Sequence, residues 1–188
     1  MMENGLFMGG SERNLTGEEF NPNIPSEETF TTPKAGEAEG IVYSSLPLSY
    51  KGEVIDKFSL TFKDGKVVEV HAEQNEELLR QMVGMDEGAA MLGECALVPY
   101  DSPIRNSGIT FYETLFDENA ACHFALGMGF TNCVKDYDKY TLDELHEMGV
   151  NDSMIHVDFM MGTEDLSVIA LCADGKKVEI FKNGNWAI

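Results

Sequence analysis

"KFSLTFKDGKVVEVHAE", residues 57–73, sets two runs of alternating apolar and polar residues on either side of an Asp64-Gly65 pair. Side chains of a strand project to opposite faces in turn, so KVVEVHAE sends one set toward a core and the other toward water. Asp-Gly is a pair that tolerates two successive positive-φ residues, which the tightest hairpin turns require. The stretch therefore predicts a β-hairpin, and EGIVYSS (residues 39–45) upstream extends it into a meander.

Downstream the period changes. Leu78, Leu79, Met82 and Val83 recur at helical spacing within residues 74–92, before Gly84 and Gly88 lead into the strand-like GECALVP at 93–99. Asp117 and Asn119 are suited to capping, which predicts a helix over about 118–127, ENAACHFALG, and a Thr141-x-x-Glu144 capping box predicts another over LDELHEM. The tail alternates again from 165 to 188, with Asp174-Gly175 and Asn183-Gly184 marking two further hairpins. Strands thus outnumber helices and most are joined by short turns, so the expected class is α+β with a mostly antiparallel sheet. Residues 1–22 are polar and Gly-rich without a period, and read as a leader or remnant preceding one domain over 23–188.

Composition narrows the function. With 188 residues, 43% of them hydrophobic, the chain can bury a core. Thirteen Lys and Arg against 33 Asp and Glu give a net charge of −20, which repels phosphate backbones and anionic lipid, so neither nucleic acid nor membrane is an expected partner. Cys95, Cys122, Cys133 and Cys172 form no Cys-x-x-Cys pair and read as buried reduced thiols, and no apolar run is long enough to span a bilayer. A cytoplasmic location is expected.

In the apolar run of NDSMIHVDFMMG (151–162), His156 and Asp158 stand two apart, so a strand would project both on one face and Ile155, Val157 and Phe159 on the other. Such a pair can hold a cation or form a buried hydrogen bond that satisfies both groups. His123 suits either a satisfied core histidine or a ligand, whereas His71 and His146 lie in polar settings and read as surface residues. Glu94 interrupts an otherwise apolar segment, and a buried carboxylate needs a proton, a partner or a metal. Glu27 and Glu28 follow NPNIP in an extended, Pro-bounded segment that also reads as a solvated loop. Three acids and two imidazoles could furnish mixed oxygen and nitrogen ligands for two divalent cations.

NIPSEETFTTP, GECALVPYDSPI, FYETLFDENAACHFALG and NDSMIHVDFMMGTEDL, in this order, resemble the M29 family of dimetal aminopeptidases, from about Glu19 to Ile188. The resemblance implies the C-terminal metal-binding domain of that family, with Glu28, Glu94, His123, His156 and Asp158 as ligands to two divalent ions, zinc, cobalt, manganese or magnesium. It implies hydrolysis of the N-terminal peptide bond of unblocked peptides by a metal-activated water, in a homodimer, with Glu27 a candidate for the proton shuttle. Two departures accompany it. The family's N-terminal α/β domain is expected to be absent, and a family tyrosine seven residues after the first ligand histidine is here Phe130. The alternative expectation is a truncated, catalytically weak or silent metal-binding and dimerisation module.

Overall fold

The computed structural model describes residues 1–188. Its strands are β1 (Glu12–Arg13), β2 (Glu19–Phe20), β3 (Thr29–Thr31), β4 (Gly40–Tyr43), β5 (Leu48–Tyr50), β6 (Glu53–Lys63), β7 (Lys66–Gln74), β8 (Leu92–Leu97), β9 (His123–Gly127), β10 (His156–Met160), β11 (Val168–Leu171), β12 (Lys177–Lys182) and β13 (Asn185–Trp186). Four short α-helices intervene: α1 (Glu76–Val83), α2 (Pro103–Asn106), α3 (Thr114–Asp117) and α4 (Leu142–Met148). Every strand pair is antiparallel, so the α+β class with antiparallel sheets is as expected.

The β6–β7 hairpin closes through Asp64 (φ 49°) and Gly65 (φ 78°), with Lys63 paired to Lys66. Two consecutive positive φ values match the twist of the strands they join. β4 and β5 both pair with the other edge of β6, and a positive φ at Lys57 resets the alternation so that Ile55 as well as Phe58, Leu60 and Phe62 turn inward. Leu79 and Met82 of α1, three residues apart on one helix face, join them.

A second sheet runs β10-β9-β8-β3. Leu126 and Phe159 project from it into the meander's core, where the Phe159 ring lies 5.6 Å from Phe58 and 6.2 Å from Phe124. Each such side chain contributes about 1.5–3 kcal/mol when fully buried. The two sheets are therefore held by the inward face of β9 and β10, which leaves the opposite face of the same strands available for polar groups. A third sheet, β11-β12-β13, turns at Gly175 (φ 81°) and at Asn183-Gly184 (φ 50° and 70°), the two predicted hairpins. It is anchored by Phe181, fully buried beside Leu97 and Cys122.

Segment 1–22 has no core of its own but lies on the rest of the chain. Met2 is buried with Val134, Leu145 and Val150, and Met8 exchanges backbone hydrogen bonds with Phe30. The capping box of Thr141 and Glu144 opens α4 as the sequence indicated. The helix expected over 118–127 is absent: helical turns end at Ala120, Ala121 is extended, and His123–Gly127 is a strand. The capping residues Asp117 and Asn119 pointed to a helix, whereas the alternation of His123, Ala125 and Gly127 with Phe124 and Leu126 is what the sheet reads. Cys172, expected to be buried, is exposed beside the Asp174-Gly175 turn; all four cysteines are free thiols.

Candidate metal centre

The sheet order explains how residues distant in sequence meet. Ala125 on the central strand β9 faces Glu94 of β8 on one side and Asp158 of β10 on the other. His156 is opposite Gly127, and His123 opposite Ala96. One row of this face thus reads Glu94, Ala125, Asp158, with a small residue between two carboxylates. Side chains at directly opposed positions of a sheet are neighbours, so Ala125 leaves a space over the middle of the sheet that a larger side chain would fill. Glu28, on the residue before β3, completes the set from the fourth strand.

A bulge positions Glu94. Leu92 pairs with Leu126 but Glu94 pairs with Ala125, so Gly93 is the extra residue that lets Leu92 and Glu94 face opposite sides of the sheet. A Cβ at Gly93 would collide with the Met128 carbonyl, and one at Gly127, where φ is +105°, with the Ile155 carbonyl. These two glycines keep the backbones close where the imidazole of His156 is seated.

Two groups of donor atoms result, Glu28, Glu94 and His123 in one and Glu94, His156 and Asp158 in the other, each with its atoms within 4.8 Å of one another. Glu94 belongs to both. His123 Nε2 lies 3.2 Å from Glu28 Oε1, and His156 Nε2 lies 3.1 Å from Glu94 Oε2 and 3.5 Å from Asp158 Oδ1. The other ring nitrogens settle the tautomers: His123 Nδ1 is 2.9 Å from the Ala121 carbonyl and His156 Nδ1 is 2.8 Å from the Met128 carbonyl. A carbonyl oxygen only accepts, so both Nδ1 atoms carry hydrogen, and both Nε2 atoms point at carboxylates. Lone pair against lone pair is repulsive unless a proton or a metal ion lies between. The buried Asp158 Oδ1, moreover, has no hydrogen-bond partner. Mixed oxygen and nitrogen donors, with each imidazole oriented by a backbone carbonyl, fit divalent cations.

Electrostatics tell the same story. Burial pushes the Glu94 carboxyl up to about 7, against the pull of its His156 hydrogen bond. Burial opposes charge on both imidazoles, yet the facing carboxylates overcome it and raise His123 to about 10 and His156 to about 11. Burial likewise opposes the charge of Asp158, but His156 and His123 hold it below the usual carboxylate range. The metal-free cluster therefore holds protons to offset a surplus of negative charge.

Glu118, which the sequence reading passed over, adds to that surplus. It is buried on the turn after α3, receives a hydrogen bond from Asn23 Nδ2, and is raised to about 9 by burial and then by the charge of Asp158. Its signal was its place five residues before His123 in ENAACH. Glu28, Glu94, Glu118, His156 and Asp158 line one cavity of about 290 Å³, together with Phe30, Phe130 and Leu115; no lysine or arginine lines it. Glu27 is exposed and outside that lining, because successive residues of an extended segment face opposite ways. Phe130 does line it, its ring 4.8 Å from that of His156. His71 is exposed against Glu76, and His146 sits half-buried on α4, both outside the donor groups.

The chain is similar to several known proteins. The chain is 48% identical over 187 residues to aminopeptidase 2 of Geobacillus stearothermophilus, which covers all of this chain and 45% of that one. It is 46% identical over 182 residues to aminopeptidase AmpS of Bacillus subtilis strain 168, covering 97% of this chain and 44% of the relative. The solved structure of wild-type AmpT from Thermus thermophilus superposes with a TM-score of 0.91 at 39% identity, over all of this chain and 46% of that one. The chain thus spans about half the length of the relatives it matches. The model of the thermophilic metalloproteases, M29, matches residues 1–186. With that match over nearly its whole length, this chain belongs to the M29 thermophilic metalloprotease family.

Proposed function

We propose that the chain binds two divalent cations, one through Glu28, Glu94 and His123 and one through Glu94, His156 and Asp158, and removes the N-terminal residue from unblocked peptides. The observation that carries the reading is the sharing of Glu94 between two donor groups whose imidazoles both aim Nε2 at carboxylates. The donor set accepts zinc, cobalt, manganese or magnesium. When bound, the pair of cations supplies Lewis acidity, lowering the pKa of a water and polarising the scissile carbonyl.

The protein's own groups do the rest. The Nδ1 hydrogen bonds to Ala121 and Met128 lock both imidazoles in the ligating tautomer, so no reorientation precedes binding. A cavity rich in carboxylates and without lysine or arginine favours the cationic α-amine of a free N-terminus over a blocked one. Glu118, half held by Asn23 and inclined to keep its proton, takes the role of proton carrier in place of the exposed Glu27. Phe130 offers no hydroxyl beside His156, which supports a slow enzyme. The reading includes a cytoplasmic homodimer; no helix is long and apolar enough to cross a membrane.

The test is hydrolysis of a leucyl peptide by the metal-loaded chain, with its N-acetylated form alongside. Release of leucine from the free peptide alone is the expected result. Metal binding without any cleavage would leave a silent metal-stapled module, and cleavage of both peptides would remove the assignment to N-terminal bonds.

A further inference from the structure

Two acidic side chains of the cavity, Glu118 and Glu12, belong to neither donor group; Glu118 is buried and held by Asn23, whereas Glu12 is more open. Glu12, half-buried on β1, lines the same cavity as the ligands. Its Oε1 accepts a hydrogen bond from Asn132 Nδ2 at 3.3 Å, and it has no salt-bridge partner; the adjacent Arg13 is engaged by Glu19 at 2.8 Å. Asn132 follows Phe130 by two residues, and the Phe130 ring packs on His156 at 4.8 Å and on Phe30 at 5.1 Å. The cavity therefore has a metal-donor end at Glu94, His156 and Asp158, an aromatic wall of Phe130 and Phe30, and a free carboxylate fixed by Asn132.

A carboxylate held by one amide and left without a cation keeps most of its acceptor capacity. Beside an aromatic wall it matches a side chain with an alkyl stem and a cationic head, since such stems lie along apolar surface while the head seeks an anion. The α-amine of a substrate is one bond from the carbon next to the scissile carbonyl, and so stays with the donor end. Glu12, which shares no donor group with the ligands, is suited instead to the far end of the substrate's first side chain.

We propose that Glu12 is a specificity-determining residue that selects peptides whose N-terminal residue is lysine or arginine. Their stems rest on Phe30 and Phe130 while the cationic head meets Glu12. This inference rests on the aminopeptidase reading of the site, and its test is arranged to separate the two. Hydrolysis of lysyl and leucyl p-nitroanilides by the metal-loaded chain is compared between the wild type and Glu12→Gln. The wild type should favour the lysyl substrate. Glu12→Gln should lower kcat/KM for it by about tenfold, through KM, as expected of a charge-assisted hydrogen bond at a half-buried site, and leave the leucyl substrate within about twofold. An equal fall for both would show that Glu12 anchors the α-amine or the fold, and no fall for either would remove it from recognition; both results overturn the proposal.

If neither substrate is cleaved, the aminopeptidase reading fails and binding alone decides on Glu12. Lysinamide and norleucinamide, of equal stem length and differing in the terminal charge, are then titrated into the metal-loaded chain by calorimetry. Lysinamide should bind about tenfold more tightly, and Glu12→Gln should abolish the difference. Equal affinities in the wild type would overturn the assignment.

Discussion

Replacing Phe130 by tyrosine adds one hydroxyl to the wall of the metal centre and little else. The Phe130 ring already lies 4.8 Å from His156 and lines the cavity, so a tyrosine there would bring its hydroxyl to the cavity from the same backbone position. A donor aimed at the developing oxyanion of acyl transfer is commonly worth about 10²–10³ in kcat. Phe130 is half-buried and not sealed from solvent, and water weakens such a hydrogen bond, which lowers the expectation to a gain of at least about tenfold, or about 1.4 kcal/mol of barrier. The assay is initial-rate hydrolysis of a leucyl p-nitroanilide at saturating zinc or cobalt, with metal content measured on the same samples. KM should move little, because the hydroxyl serves the transition state more than the bound substrate. A kcat for Phe130→Tyr equal to or below the wild-type value, with both ions retained, would show that the hydroxyl is not what limits the reaction.

Three further perturbations address the scaffold. Asp158→Ala should abolish much of the rise in Tm that zinc gives the wild type, since it removes a buried carboxylate with an unpartnered oxygen; an unchanged metal-dependent Tm, read by scanning calorimetry, would remove Asp158 from the ligand set. Phe159→Ala should cost about 3–5 kcal/mol in urea unfolding, because the ring joins the two sheets beside Phe58 and Phe124, and a loss below about 1 kcal/mol would mean that the sheets are held elsewhere. Asp86 accepts hydrogen bonds from the amides of Met154 and Ala89 and from the Ser153 hydroxyl, which hold its carboxyl below the usual range. A depressed folded pKa gives stability that is present above the unfolded value of about 3.9 and is lost as pH falls through the folded one. Asp86→Asn should therefore melt below wild type at neutral pH, with the gap closing on acidification; a gap that widens in acid would reverse that assignment.

Much of this molecule was legible from local periodicity. Asp64-Gly65 and Asn183-Gly184 announced hairpins because few residue pairs accept two positive φ values, and both pairs adopt them. His156 and Asp158 share a face because a strand repeats every two residues, whatever surrounds it. His123 was harder. Asp117 and Asn119 pointed to a helix, and only pairing with β8 and β10 shows that the segment is a central strand in which small side chains clear space for ligands. Glu118 was missed for a similar reason: nothing nearby in sequence reveals that Asp158, forty residues on, sits close enough to disturb it. The packing of Met2 and Met8 was equally hidden, because contacts made by irregular backbone leave no period to read.

The central claim is that Glu94 is shared by two ions, and counting ions tests it most directly. The chain is dialysed to equilibrium against zinc at pH 7, and bound metal is measured against protein concentration for wild type, Asp158→Asn and Glu94→Gln. The account predicts two ions per wild-type chain, about one in Asp158→Asn, where the group of Glu28, Glu94 and His123 is intact, and fewer than one in Glu94→Gln, which weakens both groups at once. A single ion in the wild type, or two ions retained by Glu94→Gln, would contradict it.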